Sequence, residues 1–277
     1  MKLATIRLDD QHTAAVRVDG DQLVEVGPPD VGAVLAAPGG LASAATAGGP
    51  RHPLAGADFA PLVPRPSKVV CVGLNYQNHI KEMGRDLPEH PTLFCKFADT
   101  LIGAGDDIRR PVETEQFDWE AELAVVIGRQ VRRADEEQAI AAIAGFTVLN
   151  DITCRDWQFR TREWLQGKNW DSSTPVGPFL VTADETGPRP ALDIRCEVDG
   201  RVMQSDNTGD LLFDPVHLVR YVSTMVRLNP GDIIATGTPG GVGHARRPAV
   251  FLKGGETVVT EIEGLGRLEN RVVPEGA

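Results

Sequence analysis

The stretch Asp118-Trp119-Glu120-Ala121-Glu122 runs without a break into Leu123-Ala124-Val125-Val126-Ile127-Gly128. Side chains alternate along a strand, which places Asp118, Glu120 and Glu122 on one face. The residues that follow are apolar at every position, the pattern of a strand covered on both sides. Carboxylates at the mouth of such a strand are costly unless something cationic compensates them. A divalent metal ion is the natural candidate. Asp151, after the apolar run Phe146-Thr147-Val148-Leu149-Asn150, could supply a further oxygen. A solvated strand edge is the other reading of the same acidic residues.

Outward from this strand, further strands are predicted at 3–8, 14–18, 23–26, 68–73, 92–97, 145–149, 179–182, 193–198, 233–235 and 256–262. Helices are predicted at 31–37, 77–83, 135–144, 155–165 and 215–226, and Asp199-Gly200 and Pro230-Gly231 are turn signals. Strands outnumber helices and do not alternate with them, which favours a mixed, strand-rich α+β fold over a doubly wound sheet. Pro61, Pro64 and Pro66 punctuate an extended linker. They suggest a small β-rich N-terminal domain, 1–66, ahead of a main domain, 67–277.

The 277 residues carry 39 acidic against 28 basic side chains, a net charge of −11, which argues against a nucleic-acid partner. An anionic small molecule is still allowed, because a metal and a few cations can reverse the sign inside a site. Cys71, Cys95, Cys154 and Cys196 form no CxxC pattern and read as reduced thiols of a cytoplasmic protein. No signal peptide or membrane-spanning run is expected. HExxH and GxSxG are absent, and His12, His52, His90, His217 and His244 show no ligand spacing and receive no role.

Three further groups could carry chemistry. His79 and Glu82 lie one helical turn apart, a spacing that lets a carboxylate orient an imidazole as a general base; an exposed polar helix face is the alternative. Arg155 and Gln158 share a helix face after Asp151. Arg155 can fork onto a carboxylate and Lys168 can offer a point charge to an oxyanion, or all three can be solvated surface. Thr236-Gly237-Thr238-Pro239-Gly240-Gly241-Val242-Gly243 follows a strand but matches neither a P-loop nor GxGxxG. It reads as a tight loop that brings backbone amides and the Thr238 hydroxyl close to a ligand, or as a plain turn.

Together these segments resemble the fumarylacetoacetate hydrolase family. The carrying motifs, in order, are Gly73-Leu74-Asn75-Tyr76-Gln77-Asn78-His79-Ile80-Lys81-Glu82, Asp118 to Leu123, and Asn150-Asp151-Ile152-Thr153-Cys154-Arg155-Asp156-Trp157-Gln158. Gly167-Lys168-Asn169-Trp170-Asp171, Pro230-Gly231-Asp232 and the Gly-rich loop complete the set, across about residues 68–272. The resemblance implies a β-roll catalytic domain in a homodimer, with Mg²⁺ or Mn²⁺ held by Glu120, Glu122 and Asp151. It implies a His79–Glu82 dyad on a lid, and substrate contacts from Arg155, Gln158, Lys168 and Thr238. Many members have Lys-Pro where this chain has Lys96-Phe97, which suggests a differently shaped loop beside the site.

An all-oxygen ligand set favours Mg²⁺ or Mn²⁺ over zinc. A 2-oxo acid could take open positions on such an ion, with an enolate forming at C3. The expected activity is hydrolysis of the C–C bond of an acylpyruvate-type 2,4-diketo acid, as in aromatic catabolism. His79–Glu82 would activate water and Lys168 would steady the tetrahedral oxyanion. Decarboxylation of an oxaloacetate-like acid, isomerisation of a 2-hydroxy-diene-dioate, and a non-catalytic binding protein are the alternatives.

Overall fold

The computed structural model describes residues 1–82 and 86–276; the side chains of residues 79, 81 and 82 lie outside the description. The apolar run forms the strand Ala121–Ile127, in the middle of an eleven-stranded mixed sheet. Ile143–Asn150 pairs with it antiparallel on one side and Ile233–Ala235 on the other. Both faces of the strand are covered: Leu123, Val125 and Ile127 enter one core, Ala124 and Val126 the other. This alternation is why every position had to be apolar.

The first core lies between the large sheet, the helix Pro215–Met225, and a second, five-stranded sheet containing Asp193–Val198, Thr257–Ile262 and Gly266–Pro274. The second core is closed by the helix Val31–Ala36. The N-terminal strand Lys2–Arg7 pairs with Thr174–Thr182, so residues on both sides of the Pro-rich linker share one sheet. The result is a strand-rich α+β fold. All four cysteines are free; Cys95 is exposed and the other three are buried.

Two predicted elements are corrected. The acidic strand is not continuous. Phe117–Asp118 pairs with Thr153–Cys154, and the next strand begins only at Ala121. Between them the backbone donors go to side chains: Trp119 N–H to Asp118 (2.9 Å) and Glu120 N–H to Asn150 (2.9 Å). A backbone satisfied by side chains leaves the ladder. The helix predicted over 155–165 is two short turns, Arg155–Gln158 and Leu165–Lys168. The chain doubles back so tightly that a Cβ on Gly167 would lie 2.5 Å from the Gln158 Cα. A continuous helix could not bring those two residues together.

Candidate active site

The broken strand places its carboxylates at the end of the sheet, where the ladder stops. Glu120, Glu122 and Asp151 each bring an oxygen within 4.8 Å of the others, and all three are buried. A 2.8 Å bond from Asp151 N–H to the Glu120 carbonyl fixes the register that joins the two acidic stretches. Asn150 braces both, bonding Glu120 N–H through its oxygen and Thr260 through its amide (2.8 Å). The solvated-edge reading is therefore wrong for these residues.

Buried cations hold the cluster. Lys168 Nζ donates to Glu120 Oε2 (2.6 Å) and Asp151 Oδ2 (2.8 Å). Lys96 Nζ donates to Asp151 Oδ1 (2.8 Å) and to the Lys168 carbonyl. Arg155 reaches Asp118 Oδ2 through Nε (2.8 Å), and Glu120 Oε1 (2.7 Å) and Gln158 Oε1 (3.0 Å) through Nη1. Burial works to raise the Asp151 pKa, but the charges of Lys168 and Lys96 outweigh it and hold the group below the usual carboxylate range. Glu122 goes the other way. Burial first, then the charges of Asp151 and Glu120, push its pKa well up, against Lys168 and the Gly237 N–H. Glu122 is thus the carboxylate most in need of a further cation. Three converging carboxylates are hard oxygen donors, and the set suits a divalent cation.

The Gly-rich loop serves these carboxylates. Gly237 N–H donates to Glu122 Oε2 (2.8 Å). Gly237 has a φ of 101°, and a Cβ there would lie 2.9 Å from the Asn75 Cβ. Gly243 and His244 N–H groups both donate to Asp118, at 2.7 and 2.9 Å. The Gly237 and Gly243 amides, from the loop expected to bring backbone N–H groups near a ligand, are spent on the protein's own acids. Asp118 is consequently not in the three-carboxylate cluster; it fixes Arg155 and the 243–244 turn together.

Above the cluster opens a cavity of about 470 Å³. Glu120, Glu122, Arg155, Gln158, Lys168 and Thr238, each singled out from sequence, all line it. Asp151 lies beneath, fully buried. The Thr238 hydroxyl oxygen accepts from Gln204 (2.7 Å), which leaves its hydrogen to donate. Arg155 Nη2 is buried and has no partner among the described residues. The helix Gln77–Glu82 is present, with Asn78 N–H held by Asp210 (2.8 Å); the His79 and Glu82 side chains lie outside the described residues.

The sequence profile described as Fumarylacetoacetate (FAA) hydrolase C-terminal matches residues 68–273. The chain belongs to this family. Among curated relatives in the fumarylacetoacetate hydrolase family, the cattle protein "Oxaloacetate tautomerase FAHD2A, mitochondrial" is 48% identical over 217 residues, 78% of this chain and 69% of that one. A solved 2-hydroxyhepta-2,4-diene-1,7-dioate isomerase from Mycobacterium marinum superposes with a TM-score of 0.79 at 32% identity, covering 100% of both chains. A fumarylpyruvate hydrolase from Pseudomonas aeruginosa, solved with Mn²⁺ and pyruvate, gives a TM-score of 0.68 at 36% identity over 75% of this chain and 90% of that one. Among the described residues no helix is long and apolar enough to cross a membrane.

Four site residues escaped sequence reasoning. Lys96, with a fully buried side chain, was noted only as a departure in the neighbouring loop. A lone lysine ending an apolar strand was the available signal. Gln204 ties Ala121 N–H (3.0 Å) to Thr238 and Pro239 from a strand, Arg201–Asn207, that was not predicted. His244 and Arg247, assigned nothing, line the cavity.

Proposed function

We propose that this chain is a metal-dependent enzyme of 2-oxo acids that moves a proton at C3 and so interconverts the keto and enol forms of an oxaloacetate-like acid. One observation carries the reading: Arg155, whose buried Nη2 has no partner among the described residues, lines a cavity that opens above three converging carboxylates. A buried guanidinium donor without an acceptor is costly and awaits a ligand oxygen. Mg²⁺ or Mn²⁺ held by Glu120, Glu122 and Asp151 would supply positive charge where the enolate's negative charge develops.

The chain's own residues do the rest. Asp118, Glu120 and Gln158 hold Arg155 in place beside the cavity, so that its guanidinium charge is already positioned when a ligand carboxylate arrives. Thr238 donates its free hydroxyl hydrogen to a second oxygen of the same end. Lys168, pinned by Glu120 and Asp151, keeps its charge, because those two carboxylates raise its pKa despite burial. It is therefore an electrostatic stabiliser and not a base. We assign proton transfer to His79, oriented by Glu82.

A second reading, hydrolysis of an acylpyruvate-type 2,4-diketo acid, draws support from the likeness to a fumarylpyruvate hydrolase solved with pyruvate. It needs the same floor, with His79–Glu82 acting on water and Lys168 facing the tetrahedral oxyanion. The greater identity to an oxaloacetate tautomerase favours the first reading. Decarboxylation or diene-dioate isomerisation would use the same enolate. The proposed assembly is a homodimer, to be read by sedimentation velocity. The functional test supplies Mg²⁺ or Mn²⁺ and follows oxaloacetate enol by ultraviolet absorbance, with acetylpyruvate and fumarylpyruvate assayed for pyruvate release. The proposal expects fast enol–keto exchange that is lost in Glu120→Gln and Glu122→Gln together with Mn²⁺ binding. Full activity of either variant in metal-free buffer would refute it.

A further inference from the structure

The cavity is polar in a directional way. Its lining carboxylates, Glu120 and Glu122, are buried at the floor. Its exposed rim carries His244 and Arg247 and no acid among the described residues. The rim is built. Asp118 takes both the Gly243 and His244 N–H groups, which fixes the turn. The His244 ring packs on Phe159 with 5.2 Å between centroids. Arg247 follows on the same loop; its Nη1 bonds only the Arg246 carbonyl (3.1 Å), and it forms no ion pair among the described residues. Two donors, one of them a guanidinium with no ion pair among the described residues, thus stand at the open end of a cavity whose closed end is proposed to take a 2-oxo acid.

Resting on the function proposed above, we infer that His244 and Arg247 are specificity-determining residues that recognise the second carboxylate of the oxaloacetate-like substrate and discriminate against an analogue neutral at that position. The guanidinium offers a planar fork to the distal carboxylate, and His244 donates a ring N–H beside it. A neutral distal group would leave the Arg247 charge unpaired and gain nothing from the rim. Selection therefore acts on the charge of the carboxylate beyond C3, separate from the contacts that bind C1 and the 2-oxo group.

The test uses two substrates of one skeleton, oxaloacetate and its 4-methyl ester, with the metal-loaded protein. The wild type should favour oxaloacetate in kcat/KM by about tenfold or more, the usual reach of one charge-assisted contact. Arg247→Gln should bring the ratio close to one, His244→Ala should reduce it, and Arg247→Lys should restore part of it. Arg129→Ala, a cation beyond the opposite end of the strand Ala121–Ile127, should leave the ratio in place and so controls for long-range steering. Equal turnover of both substrates by the wild type, or an unchanged ratio in Arg247→Gln, would overturn the inference while leaving the enolisation reading intact. Turnover of neither substrate would overturn both.

Discussion

Replacing Asp118 with Asn isolates the residue on which the site's geometry depends. The side chain is fully buried and accepts four hydrogen bonds: Trp119 and Gly243 N–H on Oδ1, His244 N–H and Arg155 Nε on Oδ2. Asparagine keeps the shape but offers a single acceptor oxygen. Whichever way the amide turns, two donors face an NH₂ group. Losing one partner of a buried ion pair costs about 3–5 kcal/mol. Arg155 retains Glu120 Oε1 at 2.7 Å, so the lower end, about 3 kcal/mol, applies. For a chain of this size each kcal/mol moves Tm by roughly 2–4 °C, which gives a fall of about 6–12 °C. The kinetic effect should run in parallel: Arg155 and the 243–244 turn loosen together, and KM for a 2-oxo acid rises. Scanning calorimetry with and without Mn²⁺, beside steady-state kinetics, reads both. A Tm within 2 °C of wild type together with an unchanged KM would refute the claim that Asp118 organises the site.

Glu122→Gln should flatten the pH dependence of stability in the metal-free protein. The folded state holds the Glu122 proton more tightly than the unfolded chain, so stability is full below the ordinary value of 4.5 and declines as pH rises through the folded value; melting in EDTA at pH 5 and pH 8 shows it. Gly237→Ala should cost about 1–3 kcal/mol, since it puts a side chain at positive φ and a Cβ against Asn75; urea titration measures this. His79→Ala should slow turnover by roughly 10²- to 10⁴-fold while calorimetric Mn²⁺ affinity stays near wild type. Equal loss of metal binding would take His79 out of the base role.

What the sequence made legible follows from how local the determinants are. Leu123 to Ile127 had to be a doubly covered strand because period-two burial needs apolar residues at every position. Asp199-Gly200 closes its hairpin with φ of 48° and 74°, a turn those two residue types permit almost alone. The Glu120, Glu122 and Asp151 cluster was visible because two adjacent, paired strands both end in acids. The break at Trp119 and Glu120 was invisible. It requires Asn150 to cross from another strand and take a backbone N–H. The strand Thr174–Thr182 was half missed, since Pro175, Gly177 and Pro178 signal a loop unless neighbouring strands hold the segment extended. Likewise, the split of the 155–165 helix comes from Gly167 seating on Gln158, a contact between chain segments that no periodicity reports.

The same long-range assembly sets the charge of the site. Asp118, Glu120, Glu122 and Asp151 face Lys96, Arg155 and Lys168, four buried acids against three buried bases among the described residues. Burial and the neighbouring acids favour the neutral form of Glu122; with that proton in place these side chains alone sum to zero, a state a buried cluster tolerates best. A divalent ion that displaces the Glu122 proton would bring the sum to +1. A 2-oxo acid carboxylate would return it to zero. In the proposed cycle each state reached by losing or gaining a ligand would be nearly neutral, while the metal-loaded, substrate-free state would carry the positive charge that draws an anion in. Removing any one of the three bases would shift this series by one charge. The loaded site would then be neutral before substrate arrived, and its attraction for an oxo acid would fall even where every carboxylate ligand was intact.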